Sequence, residues 1–169
     1  MEHSQVPGLP CQHYQLYANS LTGSLPFETL QQQPEWYPPL PSSWSAMTKM
    51  INLQLHANSL SGSLPPEWSS MTQITTLFLP TNNLNGTLPS SWSAMTKMNN
   101  LQLYTNRLSG SLPPEWSTLT QITFLQLYNN NLNGTLPSSW FAMTTMSNCQ
   151  LQTNSLTGSL RLSGPPCPH

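Results

Sequence analysis

Glu67 and Glu115 stand in identical Pro-Pro-Glu-Trp segments and are the one pair of carboxylates whose placement suggests acid–base work. If two strand spacings separate them, the gap is about 9.6 Å, close to the range used by inverting glycosidases. Both lie in a Pro-rich stretch expected on an exposed rim, where no neighbouring residue would raise one carboxyl pKa above the other. His3, His13, His56 and His169 align with no serine and acid in a triad. Asp is absent, which removes Asp-dependent triads, Asp-bound Mg²⁺ and EF-hand loops. Cys11, Cys149 and Cys167 form no CxxC pair and no His/Cys cluster of metal-ligand spacing. The expectation is a protein that is not an enzyme and that needs no cofactor or metal.

The surface chemistry is amide and hydroxyl. Only 5% of the 169 residues are charged and the formal net charge is −1, against 23 Ser, 18 Thr, 15 Asn and 13 Gln. Four Lys and Arg cannot build a phosphate-tracking surface or a polybasic membrane patch, so nucleic acid is excluded as a main partner. No apolar run approaches the roughly 20 residues that span a bilayer, so no transmembrane segment is expected. Residues 1–30 lack the basic and apolar regions of a signal peptide, and the C-terminal Ser-Gly-Pro-Pro-Cys-Pro-His lacks a lipid-anchor tail.

What positions these groups is a repeat. Asn58, Asn82, Asn106, Asn130 and Asn154 are spaced by 24 and share the frame L-x-L-x-x-N-x-L-x-G-x-L, with Cys149 in place of the first Leu of the last copy. Leu-Pro-x-x-Trp follows the same register and ends at Trp44, Trp68, Trp92, Trp116 and Trp140. A 48-residue period is superimposed, since residues 41–88 and 89–136 agree at 38 of 48 positions. In each copy the two alternating Leu, such as Leu101 and Leu103, point inward from a short strand while Gln102 points out. The Asn lies where the chain leaves the strand, and its amide can donate to and accept from the backbone of neighbouring turns. Gly110 permits a tight turn, and Pro113 can open a helical turn because its missing N–H is not needed there. The five Trp, with Met47, Met50, Met71, Met95, Met98, Met143 and Met146, fall on inward positions and read as core.

This pattern resembles the leucine-rich repeat, more narrowly the plant-type repeat LxxLxxLxLxxNxLxGxIPxxLxxL with Leu-Pro in place of Ile-Pro. The Trp in LPPEWSSMTQIT (64–75) and LPPEWSTLTQIT (112–123) is similar to the surface leucine-rich repeats of kinetoplastid parasites, the promastigote surface antigen family. The resemblance implies an α/β solenoid: a right-handed superhelix with a concave parallel β-sheet and a convex side of 3₁₀ turns and short strands. About seven turns at ~4.8 Å give a rod of roughly 30 Å. The expected organisation is an N-terminal segment 1–11, repeats over 12–160 that degenerate at 25–40, and a tail 161–169. Within 25–40 the register fails, because Asn19 and Asn58 are spaced by 39, short of two full repeats. Cys149 then reads as a small buried apolar residue, and Cys11 takes the inward position of Met50. Cys11 and Cys167 sit at opposite ends of the rod, far beyond the Cα separation of about 7 Å that a bridge can span.

The resemblance turns the outward strand residues into concave columns. These are His13, Asn52, Thr76, Asn100, Phe124 and Asn148; then Gln15, Gln54, Phe78, Gln102, Gln126 and Gln150; then Tyr17, His56, Pro80, Tyr104, Tyr128 and Gln152. Rigid aromatics amid adaptable amides are the composition of a recognition surface. The expected function is binding of a protein or glycan ligand through Gln54, His56, Phe78, Asn100, Gln102, Tyr104, Phe124, Gln126 and Tyr128. The resemblance further implies a cell-surface or secreted, surface-antigen-like protein. Asn85-Gly86-Thr87 and Asn133-Gly134-Thr135 are glycosylation sequons on the convex side. Two alternatives stand beside this: a fragment of a multicopy array without a role of its own, and an ice-binding solenoid built on regular Thr and Asn arrays.

Overall fold

The computed structural model of the protein describes residues 13–15 and 39–158. Six three-residue strands, His13–Gln15 (β1), Asn52–Gln54 (β2), Thr76–Phe78 (β3), Asn100–Gln102 (β4), Phe124–Gln126 (β6) and Asn148–Gln150 (β8), form one parallel sheet. A second parallel sheet joins Ser109–Ser111 (β5), Asn131–Thr135 (β7) and Ser155–Thr157 (β9). Five 3₁₀ helices, Ser42–Ala46, Pro66–Ser70, Ser90–Ala94, Pro114–Thr118 and Ser138–Ala142, lie between the end of one turn and the start of the next strand. Equivalent residues of β2, β3, β4, β6 and β8 pair 24 apart, whereas β1 pairs with β2 at an offset of 39, His13 against Asn52. Pro39 already bridges to Ser61 and Leu40 is buried, so repeat geometry is in place at the end of the 25–40 stretch. The remainder of that stretch, the segment 1–11 and the tail 161–169 lie outside the described residues.

Strand propensity is not what holds three-residue strands. Each Leu pair is buried, as at Leu101 and Leu103, and the burial alternates along the strand. The ladder Asn does the rest at the strand exit. Asn106 Nδ2 donates to the Leu103 and Tyr104 carbonyls of its own turn and to the Leu79 carbonyl one turn back, while its Oδ1 accepts from the Leu84 N–H. Asn82 and Asn130 repeat the set, so backbone groups that the short strands leave over are satisfied. The residue before each ladder Asn is left-handed: Ala57, Thr81, Thr105, Asn129 and Thr153 have φ of 53° to 56°.

The Trp positions are core, with a polar function besides. Trp44, Trp68, Trp92, Trp116 and Trp140 stack in one column, neighbouring centroids 5.9–6.4 Å apart and planes within 8°. Each of the last four donates its Nε1–H to a proline carbonyl in the preceding turn: Pro41, Pro65, Pro89 and Pro113. The same Pro65 carbonyl also receives the Trp68 backbone N–H that opens a 3₁₀ helix, so both of its lone pairs are used. Six of the seven inward Met are buried; Met47 is half-buried against the core.

Cys149 corrects an expectation. It is fully buried, as the register requires, but its sulfur is in a disulfide instead of a thiol. The chain's other cysteines, Cys11 and Cys167, lie outside the described residues, and so does the expectation that they do not bridge each other. A register position reports that a side chain points inward and says nothing about a partner outside the repeat.

Candidate functional site

The concave sheet is built by the strand register, which sets outward side chains of successive turns side by side. Asn52, Thr76, Asn100, Phe124 and Asn148 align in one column, and Gln54, Phe78, Gln102, Gln126 and Gln150 in the next. Within a turn the amides organise each other. Gln54 Nε2 donates to Asn52 Oδ1 at 3.1 Å, and Gln102 Nε2 to Asn100 Oδ1 at 2.8 Å. Phe124 removes that acceptor from its own strand, and Gln126 Nε2 turns to Asn148 Oδ1 of the following strand, at 3.4 Å.

Beyond the amides runs a continuous series of rings. His56 meets Phe78 edge-on at 4.7 Å, Phe78 meets Tyr104 at 6.4 Å, and Tyr104 stacks on Tyr128 at 4.5 Å with planes 7° apart. His56 thus joins Phe78, Tyr104 and Tyr128 in one series, and Phe124 stands apart from it in the first column, 41% exposed. Pro80 is buried instead of presented. Burial lifts the Tyr104 phenol above its ordinary value of 10.0, and the neighbouring Tyr128 phenol adds to the shift. Tyr104 and Tyr128 each turn one face on the other, and Phe124 is the most exposed of the described rings on this side.

Formal charge is kept off this face. Glu67 and Glu115 sit exposed on two 3₁₀ helices, with the helix Ser90–Ala94 between them, on the far side of the solenoid from the amide columns. Lys97 lies beyond another of these helices and bonds Gln73 Oε1. Asn85 and Asn133 are exposed, as are Thr87 and Thr135, on the convex side with the second sheet. Among the described residues no group of three His, Cys, Asp or Glu could hold a metal ion, and no helix is long and apolar enough to cross a membrane.

Residues 121–143 match the family model described as Leucine Rich Repeat. No curated protein matches the sequence at a significant level. Among solved structures, the chain is similar to the ectodomain of the plant membrane receptor kinase GASSHO1/SCHENGEN3 from Arabidopsis thaliana, in complex with Casparian strip integrity factor 2. The two are 32% identical with a TM-score of 0.70, over 71% of this chain and 14% of that one. It is similar also to the plant peptide hormone receptor RGFR1 in complex with RGF2, at 30% identity and a TM-score of 0.70, over 71% of this chain and 19% of that one. A plant ice-binding protein is 28% identical with a TM-score of 0.60, over 63% of this chain and 35% of that one. The chain therefore spans less than a fifth of the length of the two receptors. The narrower likeness to kinetoplastid surface antigens gains no support from these comparisons. Parallel strands at a 24-residue offset, an Asn ladder at the exits of β2, β3, β4, β6 and β8 and plant ectodomains as structural relatives make the fold a leucine-rich-repeat solenoid.

Proposed function

We propose that the protein is a non-enzymatic recognition module, displayed at the cell surface or secreted, whose concave sheet binds a protein ligand. The observation that carries this reading is the run His56–Phe78–Tyr104–Tyr128 beside amide columns that contain no Lys, Arg or Glu. Such a face offers rigid apolar area at low entropic cost, with hydrogen-bonding edges around it. Solenoid receptors with bound factors among the relatives support it. A protein is favoured over a glycan because the solved relatives carry bound protein or peptide factors. Asn85 and Asn133, exposed in their sequons, would carry glycans on the convex side if the chain is exported. The surface-antigen role rests on the Pro-Pro-Glu-Trp motif alone. The test replaces Phe78, Tyr104, Phe124 and Tyr128 together by Ala; binding to a candidate protein ligand unchanged, with the fold intact, would eliminate the concave face. Binding by this uncharged face is expected to vary little with salt.

A second reading, ice binding, is supported by the plant ice-binding relative and by the convex side. There Ser63, Thr87, Ser111 and Thr135 occupy the same position of successive repeats, all exposed and uncharged, with Gly62, Gly86, Gly110 and Gly134 preceding them. Measurable thermal hysteresis, lost when Thr87 and Thr135 become Lys, is the expected result on this reading, and its absence in the unmodified protein removes it.

A further inference from the structure

Tyr104 and Tyr128 differ from the other ring pairs among the described residues of the concave face. They stack with centroids 4.5 Å apart and planes 7° from parallel, whereas Phe78 meets Tyr104 edge-on. The two rings therefore lie face to face across adjacent turns. The backbone holds this arrangement: Leu103 N–H donates to the Gln126 carbonyl at 2.9 Å and Thr105 N–H to the Tyr128 carbonyl at 3.0 Å, one bond on each side of Tyr104. Both side chains are half-buried, so a diffusible oxidant reaches them, while the oxidisable indoles of Trp68, Trp92 and Trp116 are sealed in the core.

We infer that Tyr104 and Tyr128 form an oxidative cross-linking site, joined as dityrosine between adjacent turns by a peroxidase acting with hydrogen peroxide. Each phenol gives up one electron and one proton. The two ring radicals couple through their ortho carbons in a new C–C bond, and the hydrogen on each of those carbons moves to its oxygen, restoring both aromatic rings and both hydroxyls. Hydrogen peroxide takes up the two electrons and two protons and becomes two molecules of water. The chain loses two hydrogens and gains a covalent tie between turns that non-covalent contacts alone join elsewhere on this face.

The experiment treats the protein, dilute, with a peroxidase and hydrogen peroxide, followed by disulfide reduction and tryptic mapping. Cleavage after Lys97, Arg107 and Arg161 places Tyr104 in peptide 98–107 and Tyr128 in peptide 108–161. The expected product is these two peptides joined, two hydrogen masses below their sum, from a monomeric protein with dityrosine fluorescence. Tyr104→Phe and Tyr128→Phe, which keep the ring stack, each abolish it, while Phe78→Leu leaves it. The inference is overturned if the joined peptides do not form in the folded wild type, or if dityrosine appears only in covalent dimers or in links to Tyr14, Tyr17 or Tyr37.

Discussion

Asn106→Asp changes one amide nitrogen to an oxygen without changing side-chain shape, and the structure makes it a severe substitution. Asn106 Nδ2 points at the carbonyls of Leu103, Leu79 and Tyr104, at 3.0, 3.1 and 3.4 Å, and Oδ1 holds the Leu84 N–H at 3.0 Å. Removing all four contacts, as Asn106→Ala does, strands the Leu84 N–H and leaves the three carbonyls short of a donor. At about 1 kcal/mol net per hydrogen bond, plus the larger cost of an orphaned donor, the loss is about 3–4 kcal/mol. The Asp variant keeps the Leu84 contact but sets a carboxylate oxygen against three carbonyl oxygens, so at pH 7 it is expected to lose at least as much as Ala. Protonation restores one donor. The folded variant therefore holds its proton more tightly than the unfolded chain, whose Asp titrates near 3.9. Stability relative to wild type is thus greatest below that pH and falls as pH rises through the higher folded-state value. Urea denaturation of wild type, Asn106→Ala and Asn106→Asp at pH 7 and at acidic pH checks both claims. An Asp variant within about 1 kcal/mol of wild type at pH 7, or a deficit that does not shrink on acidification, refutes the assigned donor role.

Trp92→Ala removes a buried indole, its two stacking neighbours and the 3.0 Å bond to the Pro65 carbonyl, for an expected loss of about 5 kcal/mol; Trp92→Phe keeps much of the packing and is expected to lose about half of that, both read from denaturant midpoints. Gly110→Ala is expected to cost about 1–3 kcal/mol, because φ is +77° and the new Cβ would lie 2.9 Å from Thr87 Cγ2. The opposite change at a left-handed non-glycine position, Ala57→Gly at φ 53°, is expected to raise stability by up to about 1 kcal/mol. Since burial, and secondarily Tyr128, raise the Tyr104 pKa above 10.0, the stability this proton contributes is complete below pH 10 and is lost as pH rises through the folded-state value. An alkaline melting series should therefore fall less steeply above pH 10 for Tyr104→Phe than for wild type.

The repeat period carried most of the fold into plain view. The inward Leu, the Trp column, the ladder Asn and the order of the concave columns all follow from a 24-residue register, because a solenoid converts sequence spacing directly into lateral position. What the register does not encode is rotamer and partner. It placed Tyr104 beside Tyr128 but not their faces on one another, and it put Pro80 in an outward column although the residue is buried. The left-handed turn at Ala57, Thr81, Thr105, Asn129 and Thr153 has no local signal, since none of these residues is Gly and only Asn favours that conformation. The hydrogen bonds from Trp Nε1 to proline carbonyls were equally hidden, although Pro and Trp recurring together one turn apart is the pattern that would reveal them. The Cys149 disulfide lies outside any repeat logic.

The repeated bond from the indoles of Trp68, Trp92, Trp116 and Trp140 to the turn before has an evolutionary corollary. Every junction between turns, from Trp44 to Trp140, is the same junction, so unequal crossover between the two 48-residue units would delete or add a unit while rejoining interfaces already compatible. Such a lineage can lengthen or shorten its recognition face in whole steps, with each new junction built from the same indole stack and Trp-to-proline bond.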